Sequence, residues 1–428
     1  MLDIKFIREH SEEVKENIKM KFQDEKLKLV DEVLSLDEQW RKEKFNSDLI
    51  RKERNQISEA INQAKKKKDE KKAKELIIKA KDIPEKIKKI EEKTEELENK
   101  IRVLLMRIPN IISKNVPLGK SDKENKVVKI VGKPSKMNFE IKSHGELIEQ
   151  LQLGDFESSS RVSGTGFYYI EGEIALLNQA LLNYARDIMV KKGFRYVETP
   201  LLLREEIIDK VTDLNDKTQQ IYIVDDEPRM ALIGTSEHSL IGRFVDQEIS
   251  EQKLPIKHTS YSMCFRKEIG AHGIDERGLY RTHQFNKIEM IVICLPEESE
   301  SFFKEMQNIT VEIFKNLEIP IRVLQICSGD LGDLKYEQVD IEAFSPRRNN
   351  YFELGSCSNL TDAQARKLNI HTRVKSERII PHTLNNTALA SSRALVALLE
   401  NHQQKNGSVK IPKVLWKYTG FKEIKAKK

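Results

Sequence analysis

FRKEIGAHGIDERGLYRTHQF, residues 265–285, running on into NKIE, decides how this chain is read. Strand-like TSYSMCFRKE leads into the polar, glycine-bearing turn IGAHGIDERG, and LYRTHQFNKIEMIVICL leads out, which predicts a long-looped antiparallel hairpin. Side-chain alternation along the return strand places Arg281, His283 and Phe285 on one face, with Lys287 and Glu289 following on the same side. An arginine, a flat aromatic ring and a carboxylate on one sheet face can clamp a phosphate, stack a base and hold an ammonium. A solvated face of unrelated charges has the same pattern, so the hairpin alone does not choose.

Around it lie further short apolar runs, QIYIV, ALIG, IRVLQIC and YFELGS, and an apolar helical stretch, EIALLNQALLNYARDIMVKKG. Strands that follow strands, with helices between only some of them, predict an α+β domain on a largely antiparallel sheet. Neither G-x-G-x-x-G nor G-x-x-x-x-G-K-[ST] occurs, so a bound nucleotide would have to be held largely by side chains. Three segments offer such side chains. GTSEHSL at 234–240 sets Thr235 and Glu237 two apart, and YFELGSCSN at 351–359 sets the hard oxygens of Glu353 and Ser356 at a strand end, a pair suited to Mg²⁺. HTLNNTALASSRALVALLEN at 382–401 is a polar small-residue run opening an apolar helix that carries Arg393.

The N-terminal quarter has a different period. Ala73, Leu76, Ala80, Ile83, Ile87, Ile90, Thr94, Leu97, Ile101, Leu104 and Ile108 form a heptad seam, and Val33, Leu36, Trp40, Ile50, Ile57, Ile61 and Ala64 form another, interrupted by Glu43, Ser47 and Arg54. With KKKKDEKK at 65–72 between them, residues 28–108 predict an antiparallel helical hairpin with a basic tip, in which Pro84 kinks or restarts the second limb. A dimerising coiled coil with a solvated lysine turn fits that pattern equally. Residues 111–143, punctuated by Pro and Gly and without a sustained period, read as a linker between an arm at 1–110 and a catalytic domain at 144–428.

Composition bounds the rest. The 428 residues are 33% charged and 39% hydrophobic, with a net charge of +6 that permits a polyanionic partner without requiring one. The four cysteines, Cys264, Cys294, Cys327 and Cys357, show no C-x-x-C and no metal-ligand spacing, which argues against a zinc or disulfide framework. No signal-peptide core or membrane-length apolar run occurs, so a cytoplasmic protein without membrane attachment is expected.

Taken together, FRKE…GLYRTHQFNKIE, GTSE, FELGSCSN…QARKLNI and LNNTALASSRALVALLEN, with GFRYVETPLL around Pro200 as a first motif, resemble the seryl-tRNA synthetases, a family of class II aminoacyl-tRNA synthetases. The resemblance runs the length of the chain and is to the common bacterial and archaeal type, not the zinc-dependent methanogen type. It implies adenylation of L-serine by ATP and transfer to the 3′ end of tRNA-Ser, with tRNA-Sec as a further acceptor left open. It implies ATP binding by Arg266, Glu268, Arg281, Phe285, Glu353, Leu354, Gly355, Ser356 and Arg393, with Arg266, Arg281 and Arg393 as the catalytic arginines. By the same resemblance Glu353 and Ser356 hold Mg²⁺, and serine lies among Thr235, Ser236, Glu237, Arg266, Glu289, Asn385 and Thr387. The arm lysines Lys65, Lys66, Lys67, Lys68, Lys71, Lys72 and Lys74 would meet tRNA phosphates. A homodimer would form through the first motif around Pro200. The chain departs from the family pattern at Thr387, where serine is frequent, and at Ala388, where glycine is.

His283 is expected to orient neighbours or to pack against the sheet rather than act as a base, because a carboxylate nucleophile needs none. Two rivals share the motifs: a class II amino-acid:carrier-protein ligase, which lacks the long arm, and a non-catalytic tRNA-binding paralogue, which would lose motif residues that stand here.

Overall fold

The computed structural model describes residues 1–213, 217, 220–268 and 278–426 and divides into two compact units, Met1–Pro109 and Asn110–Lys428. Most of the polar turn of the opening hairpin, His272 included, lies outside the described residues.

In the first unit two short helices, α1 (Ile4–Glu9) and α2 (Ser11–Met20), precede the hairpin of α3 (Leu27–Lys66), α4 (Glu70–Ala80) and α5 (Ile83–Leu105). The two seams meet: Val33 and Ala64 of one limb and Ala73, Ile83, Ile87, Leu97 and Ile101 of the other are buried. The interruptions have separate fates. Glu43 pairs with Lys93 across the hairpin at 2.6 Å, Ser47 is buried, and Arg54 stays exposed. Pro84 restarts the limb, because α4 ends at Ala80 and Pro84 falls in the first turn of α5, where a helix has no use for its missing N–H. At the tip the Asp69 side chain accepts from the Lys72 amide at 3.1 Å and caps α4, while all seven predicted tip lysines are exposed.

The second unit is built on eight strands: β1 (Lys126–Val131), β2 (Arg195–Tyr196), β3 (Ile256–Phe265), β4 (Gln284–Cys294), β5 (Ile321–Gln325), β6 (Glu337–Ser345), β7 (Asn350–Asn359) and β8 (His382–Ala390). Their order is β1-β5-β6-β7-β8-β4-β3-β2, antiparallel except for the short β2–β3 pair. Residues 111–143 are thus not a plain linker. Asn110 donates to the carbonyls of Leu334 and Leu360, and β1 closes one edge of the sheet against β5. Five of the six β1 residues are exposed, so its sequence lacks the buried alternate positions by which a strand is recognised.

On one face lies the larger core, in which Ile288, Met290, Val292 and Cys294 of β4 meet α6 (Gly172–Lys191), α8 (Ser299–Asn316) and α9 (Ser391–His402). On the other, Ile291 and Ile293 join Ile208, Leu240, Ile241 and Phe244 in a smaller core around α7 (Ser236–Gly242). The four cysteines are buried and unbridged. Among the described residues no helix is long and apolar enough to cross a membrane.

Candidate active site

The hairpin strand β4 changes character along one face. Ile291 and Ile293 pack in the smaller core, while Phe285, Lys287 and Glu289, on the same side, line two adjoining cavities. Arg281 precedes the strand and still reaches the cavity wall; His283 does not. Its ring stacks on Phe167 at 5.3 Å, and its Nδ1 sits 3.0 Å from the Arg266 carbonyl oxygen and 2.9 Å from the Tyr222 hydroxyl. The Arg266 amide in turn donates to the His283 carbonyl at 2.9 Å. His283 therefore orients the backbone of Arg266, as the sequence led one to expect, and the alternation argument fails for it only because β4 begins one residue later.

Two β-bulges complete the floor. In the β6–β7 ladder Ile341 pairs with Gly355 and Glu342 with Glu353, leaving Leu354 as an extra residue. Glu353 and Ser356 are three apart and would point to opposite faces of a regular strand; the bulge returns both to the cavity side, where the Ser356 hydroxyl lies 3.4 Å from Glu353 Oε1. The β4–β8 ladder skips Ala388 in the same way, so Thr387 and Ala390 both face the site. Gly355 has no freedom to carry a side chain, because a Cβ there would lie 2.6 Å from Thr387 Cβ.

The first cavity, about 260 Å³, is walled by Thr235, Glu237, Glu289, Asn385 and Thr387 among others, and the second by Glu268, Arg281, Phe285, Leu354, Gly355 and Arg393. They share Arg266, Lys287, Glu353 and Thr387. Of the residues expected at the site, Ser236 lines neither cavity: it is fully buried, because the turn into α7 points its hydroxyl into the protein.

Charges here are tightly arranged. Lys287 lies 2.5 Å from Glu289, both nearly inaccessible, and Thr387 donates to the same carboxylate at 3.2 Å. Arg393 meets Glu353 Oε2 at 3.0 Å and donates to its carbonyl at 3.1 Å; its charge outweighs burial and holds the Glu353 carboxyl below the usual range. Arg266 donates to the Gly234 carbonyl at 3.2 Å and lies 5.5 Å over the Phe285 ring, and Arg281 stands 3.8 Å from Glu268. Burial, then the Glu289 charge, pushes the Glu237 carboxyl up to about 7 although Gln364 donates to it at 2.9 Å. Burial, then Lys287 and Arg266, pushes His238 down to about 3, so that imidazole stays neutral.

Sequence reasoning missed Lys287 as a member of the site, though its place on the right face was legible, and missed Asp340 altogether. Asp340 pairs with Ser356 across the β6–β7 ladder and receives the Gln338 amide at 2.6 Å; burial, then the Glu353 charge, pushes its carboxyl up to about 7. Nothing in EQVDIEAFS marks it, because one aspartate in an alternating strand looks like any solvent-facing position. Ser356 and the Glu353–Asp340 pair bring hard oxygens together where a cation would relieve the repulsion, which fits Mg²⁺. No group of three or more His, Cys, Asp or Glu able to hold a metal occurs among the described residues.

Comparison with known proteins agrees with this geometry. The family model for the tRNA synthetase class II core domain (G, H, P, S and T) matches residues 220–402, so strands β3 to β8 belong to a class II aminoacyl-tRNA synthetase core. The model for the seryl-tRNA synthetase N-terminal domain matches residues 1–112. The serine–tRNA ligase of Methanospirillum hungatei is 42% identical over 427 residues, 99% of this chain and 100% of the relative. The crystal structure of seryl-tRNA synthetase from Pyrococcus horikoshii complexed with ATP superposes with a TM-score of 0.93 at 40% identity, covering 100% of both chains. That of the cytoplasmic serine–tRNA ligase of Naegleria fowleri in complex with AMP gives 0.89 at 34% identity, covering 100% of this chain and 99% of that one. The chain belongs to the seryl-tRNA synthetase family.

Gly355→Ala tests the packing of the floor. The added methyl meets Thr387 near the backbone, where neither strand can yield cheaply, and should lower stability by about 1–3 kcal/mol. An unchanged melting temperature would contradict the assigned contact.

Proposed function

We propose that this chain activates L-serine with ATP and transfers it to tRNA-Ser, and that the two cavities divide the task. The observation that carries the reading is their shared wall: an amino-acid-sized cavity opens beside one lined by arginines and an aromatic ring, with Arg266 common to both. Serine would occupy the first and ATP the second, its adenine on Phe285 and its phosphates on Arg266, Arg281 and Arg393, whose planar guanidiniums suit multivalent oxygen contacts. The serine carboxylate attacks the α-phosphorus, the bond to the leaving pyrophosphate breaks, and seryl-adenylate forms. That carboxylate is already ionised, so no general base is required, which accords with a neutral His238 and a His283 occupied elsewhere. What the residues supply is alignment of two anions and compensation of charge on the transferred phosphoryl group. Glu353 and Ser356, with Asp340 beside them, would hold Mg²⁺, which when bound supplies further charge neutralisation at the phosphates. A hydroxyl of the terminal tRNA ribose then attacks the adenylate carbonyl and releases AMP.

Selection of serine has two parts. Glu289 is already engaged by Lys287 and Thr387, which leaves Glu237 to receive the ammonium, while Thr387 and Glu289 receive the hydroxyl. A site built to pair a hydroxyl rejects alanine, since its buried polar groups would lose their partner. The arm, residues 1–110, would carry tRNA through the exposed lysines at its tip, and the catalytic unit would dimerise around Pro200, beside which Leu202 is exposed.

ATP–pyrophosphate exchange with a panel of amino acids, followed by charging of total tRNA, tests the reading. Serine-dependent exchange and seryl-tRNA formation that falls steeply with salt and on removal of residues 28–108 are expected. Exchange without transfer to tRNA would instead indicate a carrier-protein ligase, and no exchange at all would indicate a non-catalytic paralogue. In the same assay Glu289→Gln should raise the serine KM far more than the ATP KM, and equal losses in both would remove Glu289 from the serine pocket.

Serine affinity should also depend on pH. In the empty site the Glu237 carboxyl holds its proton up to about 7, whereas beside a bound ammonium it is ionised, so binding releases a proton below that value. Calorimetric affinity is expected to fall about tenfold per pH unit below 7 and to level off above it. Glu237→Gln should weaken binding and flatten the profile; a profile as steep in that variant as in the wild type would assign the titration to another group.

A further inference from the structure

Behind the phosphate cavity lies a buried polar cluster that the reaction does not use. His144, first residue of the helix His144–Leu151, is 2% exposed and Glu400, on α9, is 0% exposed. The His144 Nδ1 lies 3.5 Å from Glu400 Oε1, the Ser345 hydroxyl donates to Glu400 Oε2 at 2.5 Å, and Arg347 Nε stands 3.8 Å from Oε1. On the other side of the ring the Leu279 amide donates to His144 Nε2 at 3.1 Å. A backbone amide has only a proton to offer, so Nε2 is the bare acceptor and Nδ1 carries the hydrogen directed at Glu400. Burial alone would raise the Glu400 carboxyl, but the hydrogen bonds from His144 and Ser345, together with neighbouring positive charge including Arg347, keep it below the usual range.

We propose that His144 is a positioning residue for ATP, fixing the return limb of the hairpin so that Tyr280 and Arg281 stand at the phosphate cavity. Leu279 is the residue between a glycine shaped to the imidazole and the two side chains that line the site. Gly278 has φ +116°, and a Cβ there would overlap His144 Nε2, so the glycine is demanded both by its backbone and by the ring it touches. Tyr280 is held between the guanidiniums of Arg348 at 4.5 Å and Arg393 at 5.6 Å and meets the Phe352 ring edge-on at 5.5 Å. Arg281 follows directly and lines the cavity. The chain of contacts closes on itself: α9 brings Arg393 into the site and, about two turns later, Glu400 to His144. One helix thereby sets the position of both arginines, Arg393 directly and Arg281 through Glu400, His144 and Leu279. A displaced Leu279 would move Arg281 away from the phosphates and leave the serine cavity, to which neither Leu279 nor Arg281 contributes, unaltered.

The inference rests on ATP occupying the second cavity, and the experiment separates the two. Serine-dependent exchange by the wild type is the control: without it the reading of the cavities falls, and with it the variants speak to His144. His144→Leu should raise the ATP KM about tenfold, the worth of one buried hydrogen bond to a backbone amide, with the serine KM within about twofold. His144→Gln, whose amide oxygen can accept from Leu279, should recover most of the loss. Should the leucine variant not fold, two-bond ¹H–¹⁵N spectra of the histidines in the wild type decide, with a buried Nδ1–H tautomer expected whose signals move on saturation with Mg-ATP and not with serine. An Nε2–H tautomer, an unchanged ATP KM in a folded His144→Leu protein, or ATP and serine KM values rising together in both variants would overturn the proposal.

Discussion

The two-residue period of β4 constrains everything built around it. One side of the strand must close the larger core, and Ile288, Met290, Val292 and Cys294 do so; the other side must serve as site floor at one end and apolar layer at the other. A strand buried on both faces has no solvent in which to place charge, so Lys287 and Glu289 exist there only because they neutralise one another. Their pairing in turn fixes Thr387 on the neighbouring strand, whose side chain leaves room for nothing larger than glycine at 355. The bulges at Leu354 and Ala388 follow from the same constraint: they gather functional groups that a strict alternation would distribute to opposite faces.

The cation arrangement follows a second rule. Arg266, Arg281 and Arg393 are each tied to the protein by a contact that leaves donors over: a carbonyl for Arg266, a distant carboxylate for Arg281, and carboxylate plus carbonyl for Arg393. Five N–H groups in a rigid fork allow such double duty, which a lysine ammonium could not provide with the same orientation. Preorganisation of this kind costs nothing at the moment of reaction, because the groups are already oriented before charge develops.

How much of this was legible in the sequence depended on whether a residue's partner lay within the local period. In the helical arm the seam positions follow from spacing of three and four and the kink or restart at Pro84 from its missing N–H, whereas the Asp69 cap on the basic turn was not read from the sequence. The site residues on β4 were readable because a regular strand alternates. Ser356 was picked out with Glu353 as a hard-oxygen pair, although a bulge defeats counting of the face it takes, and Ser236 turns inward because a turn into a short helix changes direction within one residue. Asp340, His144 and Glu400 could not be found, as each owes its environment to residues on a different strand or helix. The edge strand in residues 111–143 was invisible for the converse reason: exposed along nearly its whole length, it carries no hydrophobic period at all.

The electrostatics of the site point to what it is built to receive. Two carboxylate pairs flank Arg266, Glu237 with Glu289 and Asp340 with Glu353, and in each one member is secured by a cation while the other is pushed up to about 7. Burial is the first cause for both raised groups, and the charge of the secured neighbour is the second. Such a group is a poor contributor to the stability of the folded chain at neutral pH, since folding then either retains a proton or buries repulsion. The same group becomes favourable once a cation enters. In the proposed reaction two cations arrive, the serine ammonium beside Glu237 and Mg²⁺ beside Glu353 and Asp340, one on either side of the arginine that both substrates must share. The repulsion stored in the free site thus favours occupation by the pair of substrates that bring positive charge with them, and it disfavours an amino acid without its ammonium or a nucleotide without its metal.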